Sequence, residues 1–113
     1  MATTAWETRQ AGGGDEIANL LELARLAENS DLARARSLVQ QARVLARTQQ
    51  DQFSEAEALY RLAELSYASG LSNEAFAVAL EARDLAHQCG AAKTEVSALN
   101  LIAAVQYLSL IHI

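Results

Sequence analysis

Apolar residues recur along this chain at three- and four-residue steps, the period of an amphipathic helix, and polar or glycine punctuation divides the pattern into five segments. Ile17, Leu20, Leu21, Ala24 and Ala27 fall on one face of a first helix, which Asp15 can cap and which ends near Asn29. Ser30 and Asp31 restart the chain, and Leu32, Ala35, Leu38, Val39, Ala42, Leu45 and Ala46 stripe a second helix to about Thr48. The turn between them is short, so the two must be antiparallel neighbours. Ser54 and Glu57 fit a capping box, which predicts a third helix beginning between Asp51 and Ser54, with Ala58, Leu59, Leu62, Ala63, Leu65 and Ser66 as its stripe. Gly70 stops it, because glycine takes the left-handed conformation at little steric cost. Ser72 or Asn73 is expected to cap a fourth helix, with Ala75, Val78, Ala79, Ala82, Leu85 and Ala86 inward and Gly90 at its end. A fifth begins around Ala92 to Thr94 and is expected to carry Val96, Leu99, Ile102, Ala103 and Val105 on its apolar face.

Alanine and leucine supply most of these positions, β-branched residues are sparse and proline is absent, so local propensity points to an all-α domain. Residues 1–14 lack the helical period and finish in three glycines, which reads as a flexible leader carrying Trp6 as a tethered side chain. Sliding the chain on itself exposes a repeat: Ala24, Ala63 and Ala103 recur at a nearly constant interval of about 40 residues. The same shift carries Ala42, Leu45 and Ala46 onto Ala82, Leu85 and Ala86. Small residues at recurring positions let helix backbones approach closely within each pair and between pairs. The expected architecture is a set of antiparallel helix hairpins stacked as an α-solenoid, about two and a half repeats over residues 15–107.

At the level of the repeat these residues resemble the tetratricopeptide family. Leu62-Ala63, Gly70, Ala75 and Ala82 match that family's small-residue positions, Leu23, Ala24, Ala35 and Ala42 give a looser first copy one residue shorter at its turn, and Ile102-Ala103 opens a third. The likeness spans residues 16–107. It departs from the standard pattern in a period near 40 rather than 34, in Ala79 where an aromatic is usual, and in lacking the terminal proline. That looks like the longer variant of bacterial regulatory and signalling proteins, in which such arrays often precede an output domain; HEAT-like pairs share the period and are the structural runner-up.

The resemblance implies a protein–protein interaction module whose first helices line a concave groove. Carried over, the groove residues are Glu22, Arg25 and Glu28, then Tyr60, Arg61, Glu64 and Tyr67, then Asn100 and Tyr107. The implied partner is a protein or peptide, or a domain of the parent chain. The basic and asparagine pattern that clamps a peptide carboxylate in some members is missing, which disfavours chaperone-tail binding. The alternative setting is a diguanylate cyclase or transcriptional regulator whose output domain lies outside these residues.

Charge and chemistry narrow the function further. A net charge of −5 argues against a nucleic-acid footprint, which needs clustered cations to displace counterions. On the second helix Arg34, Arg36, Arg43 and Arg47 read as a solvated outer face rather than an anionic docking patch. Cys89 is the only cysteine, so no intramolecular disulfide framework exists and a reducing cytoplasm fits; Cys89 itself reads as a small filler at a helix end. No apolar run approaches the roughly 18 residues of a membrane span. His87 and His112 cannot assemble a metal cluster or a triad, so no metal, cofactor or catalytic residue is expected, and His87 reads as a complement to a helix C-terminus. Gly13-Gly14-Asp15-Glu16-Ile17 mimics the GGDEF signature of diguanylate cyclases, but the acidic metal ligands that precede it in that family have no room here. Residues 108–113, LSLIHI, leave the repeat mid-unit and match a reading frame through a transposon-end sequencing adapter, so they are expected to be non-native sequence on a truncated fragment.

Overall fold

The computed structural model describes residues 15–111, in five helices and no strand: α1 (Asp15–Ala27), α2 (Leu32–Thr48), α3 (Gln52–Ala68), α4 (Ser72–Cys89) and α5 (Ala92–Ile111). The leader 1–14 with Trp6, and His112 with Ile113, lie outside the described residues. Consecutive helices pack on one another, α1 on α2 through α4 on α5, and α3 also reaches α5. No described helix is long and apolar enough to cross a membrane.

The turns repeat at half the hairpin period. The backbone N–H groups of Asp51, Leu71 and Ala91 donate to the carbonyls of Ala46, Ser66 and Ala86, each pair half a period after the last. This closes the ends of α2, α3 and α4 with the same six-residue wrap and satisfies carbonyls that the helix itself leaves free. Within each wrap one residue is left-handed: Gln50 (φ +58°), Gly70 (φ +80°) and Gly90 (φ +78°). Glycine marks two of the three in the sequence; Gln50 adopts the same geometry without it, and so carries no such mark.

The third helix starts inside the expected window, at Gln52, but the expected caps of α3 and α4 are replaced. Asp51, not Ser54, caps α3: its carboxylate accepts the Ser54 N–H at 3.2 Å and the Ser54 hydroxyl at 2.8 Å. The Ser54–Glu57 capping box is therefore displaced by a cap that starts a turn earlier. Neither Ser72 nor Asn73 caps α4; Leu71 holds that position with no side-chain hydrogen bond, and the wrap from α3 fixes the entry of the chain instead. Asp31 caps α2 by accepting the Arg34 N–H at 3.0 Å, and Asp15 is itself the first residue of α1.

The core explains why α3 is the centre of the chain. One of its faces looks back: Ala58, Leu62 and Leu65 join Ile17, Ala24, Ala35, Leu38, Val39, Ala42 and Ala46 of α1 and α2. The other looks forward in three small clusters, Ala56 with Ala86 and Ala91, Leu59 with Ala82 and Ala98, and Ala63 with Ala79 and Ile102. Numbers on α4 fall as those on α3 rise, as antiparallel neighbours require; numbers on α5 rise with them, as the same helix of the next hairpin must.

Shifting these positions forward by one period corrects the reading of α5. Ala98, Ile102 and Val105, the equivalents of Ala58, Leu62 and Leu65, are buried. Val96, Leu99 and Ala103, equivalents of Ala56, Leu59 and Ala63, face out instead of inward as their spacing predicts. They occupy the forward face, and no described element follows to cover it. At the other end the logic reverses: Leu23 and Leu26, one period before Leu62 and Leu65, occupy the backward face of α1 and are exposed.

Candidate functional site

The expected groove residues come from α1, α3 and α5 and the turn after α1, the first helix of each pair. Glu22 and Arg25 pair at 2.6 Å within α1 and are well exposed. The hydrogen bond from Arg25 holds the Glu22 carboxyl below its ordinary range, with Arg61 of α3 adding a smaller attraction. Arg25, Glu28 and Arg61 together border a small pocket beside Leu21, Val39 and Leu65.

The larger feature is an open cleft of about 450 Å³ between α3 and α5, lined by Glu57, Tyr60, Arg61 and Glu64 on one side and Lys93, Thr94 and Ser97 on the other. Glu64 is its hinge electrostatically: one carboxylate oxygen accepts the Tyr60 hydroxyl at 3.0 Å, and the other lies 3.7 Å from the Arg61 guanidinium. Burial pushes the Tyr60 phenol up to about 12, and the hydroxyl's bond and proximity to the Glu64 carboxylate push the same way because the phenolate would face a like charge.

That shift has a measurable sign. The unfolded chain ionises this phenol near 10, so between about pH 10 and pH 12 the folded state holds the extra proton and stability falls as pH rises. The contribution is fully present below about pH 10. Absorbance at 295 nm should show a tyrosine step near 12, and Glu64→Gln should bring that step down. A Tyr60 step unmoved by that substitution would leave burial alone as the cause.

Tyr60, Arg61 and Glu64 share one wall of the cleft, Arg25 and Glu28 meet Arg61 at the small pocket, and Glu22 reaches it only through its pair with Arg25. Tyr67, Asn100 and Tyr107 do not line the cleft. Sequence reasoning missed Glu57, Lys93, Thr94 and Ser97. Glu57 was findable, since 57, 60, 61 and 64 share one helical face, and Ser97 stands one period after Glu57.

Other expectations are settled by contacts. Arg36 and Arg43 are neither a solvated face nor a docking patch: they reach from α2 to Glu74 at 2.8 Å and Glu81 at 3.7 Å on α4. Both pairs have the same separation in sequence, so α2 and α4 run parallel, as the second helices of successive hairpins should. Ile17, the end of the GGDEF-like string, is buried in the core of α1 and α2, which makes it a packing residue. His87 is exposed, with its Nδ1 3.1 Å from Glu95, and Cys89 packs beside Ala86. No group of histidine, cysteine and acidic residues among the described residues could hold a metal ion. Compared with known proteins, the chain matches no family model, no curated protein and no solved structure.

Proposed function

We propose that this chain is a protein–protein interaction module of tetratricopeptide type, whose first helices form a groove for a peptide or another protein, including a domain of its own parent chain. The cleft between α3 and α5 carries the reading. Its walls offer cations from Arg61 and Lys93, carboxylates from Glu57 and Glu64, hydroxyls from Thr94 and Ser97, and one phenol ring. Such a mixture suits the alternating N–H and C=O groups and side chains of a polypeptide better than a single-sign ligand, and tyrosine adds contact area with few rotors to freeze. The family assignment is supported by the packing of its small-residue positions: Ala24, Ala35, Ala42, Ala63, Ala75 and Ala82 are all buried where helices meet. The reading assigns these residues no catalytic step and no cofactor.

Photo-crosslinking tests it. A benzoylphenylalanine at Ser97 should capture a protein partner from the native cytosol, and one at Gln88, exposed near the end of α4, should not. Tyr60→Ala should reduce the Ser97 capture at least several-fold while leaving helical circular dichroism unchanged. Equal capture from both positions would count against the groove.

A further inference from the structure

The cleft between α3 and α5 does not hold its charges alike. Glu64 is engaged on both oxygens, by the Tyr60 hydroxyl and by Arg61. Glu57 on the α3 wall and Lys93 on the α5 wall are exposed, and neither has a hydrogen bond or an ion pair among the described residues. Repeat equivalence explains why they do not meet: the counterpart of Glu57 on α5 is Ser97, and Lys93 stands one turn earlier, at the level of Phe53. The offset is about 6 Å along the helices.

Glu57 also stands between two aromatic residues. Phe53 comes four residues before it and Tyr60 three after, and at 100° per residue the two rings project within about 20° of each other. Tyr60 packs against the cluster of Leu59, Ala82 and Ala98, so this is the side of α3 that α5 faces. Its hydroxyl is held by Glu64, which fixes the ring. Phe53 is 53% exposed and joins none of the core clusters among the described residues. An unpaired carboxylate flanked by two rings at helical spacing suits a guanidinium, whose forked donors match the carboxylate while its flat faces stack on aromatic rings. An ammonium matches neither feature as well.

A ligand of one sign fits poorly. Glu57 and Glu64 oppose a simple anion, and Arg61 and Lys93 oppose a simple cation. Resting on the groove reading above, we infer that the cleft takes an extended polypeptide segment carrying an arginine for Glu57 and an acidic residue for Lys93. In an extended chain residues i and i+2 project to the same side about 7 Å apart, close to the one-turn offset between Glu57 and Lys93, so the two charges stand two positions apart. The hydroxyls of Thr94 and Ser97 are left for the backbone of the segment.

Selection of random displayed dodecapeptides on the full chain tests this. The selected peptides should be enriched in arginine two positions from aspartate or glutamate. Their affinity, read by fluorescence anisotropy, should fall about tenfold or more in Glu57→Gln and in Lys93→Gln. Helical circular dichroism should stay unchanged, since both residues are exposed. Phe53→Ala, and lysine in place of the peptide's arginine, should each weaken binding several-fold. Peptides whose binding needs Tyr60 but is indifferent to Glu57 and Lys93 would overturn the inference and leave the groove standing. Equal selection on the chain and on its Tyr60→Ala variant would count against the groove itself, and the inference would fall with it.

Discussion

Leu59→Ala is expected to lower the free energy of unfolding by about 2–5 kcal/mol, seen as a lower urea midpoint with an unchanged slope. Leu59 is the one large buried side chain of its cluster; its buried neighbours Ala82 and Ala98 come from α4 and α5. Two alanines on rigid helices cannot move in to fill the space, so the loss includes a cavity as well as the transfer of the side chain from water. Partly buried Tyr60, Val78 and Leu85 pack around the cluster and set how much of the cavity can close. The same substitution one period later is the control: Leu99 is exposed, and Leu99→Ala should change stability of the single chain by less than about 0.5 kcal/mol. Equal effects at the two sites would contradict the forward-face register that places Leu59 inside and Leu99 outside.

That pair also shows what the sequence could and could not reveal. Helix number, the breaks at Gly70 and Gly90, and the inward stripes of α1 to α4 follow from periodicity and glycine, because each is set within a few residues of chain. The stripe of α5 does not, because the helix is apolar on both faces and periodicity alone cannot say which is covered. Only the neighbour decides, and the residues that distinguish the two faces are the equivalents of those splitting α3 into backward and forward sets. The Asp51 cap was hidden for a related reason: two hydroxyl- or carboxylate-bearing residues lay within a turn, and the winner was fixed by where the wrap from α2 delivers the chain. For the candidate site, Tyr60, Arg61 and Glu64 were legible from one helix. Lys93, Thr94 and Ser97 enter across a tertiary gap, which local pattern does not measure.

The tie between α2 and α4 should prove unequal when cut from its two ends. Arg36 places one guanidinium nitrogen 3.0 and 2.8 Å from the two Glu74 oxygens, and Glu74 also accepts the hydroxyl of Ser66, which is fully buried on α3. Arg36→Ala removes a partly exposed ion pair and leaves Glu74 reachable by water, so a loss of about 0.5–1 kcal/mol is expected. Glu74→Ala should cost more, about 1–3 kcal/mol, because it strands the hydroxyl of buried Ser66 without its acceptor. Adding Ser66→Ala should recover part of that loss, since removing both partners of a buried hydrogen bond is far less costly than removing one. Salt separates the two contributions: in about 1 M NaCl the Debye length falls to about 3 Å, which erases most of the Arg36 effect and leaves the Ser66 effect in place. Losses that match within a few tenths of a kcal/mol for Arg36→Ala and Glu74→Ala would mean that Ser66 finds another acceptor, the Leu62 carbonyl one turn back being in reach of a helical serine. In that case Glu74 would hold only α2 to α4, and the junction of three helices at Ser66 would reduce to a surface pair.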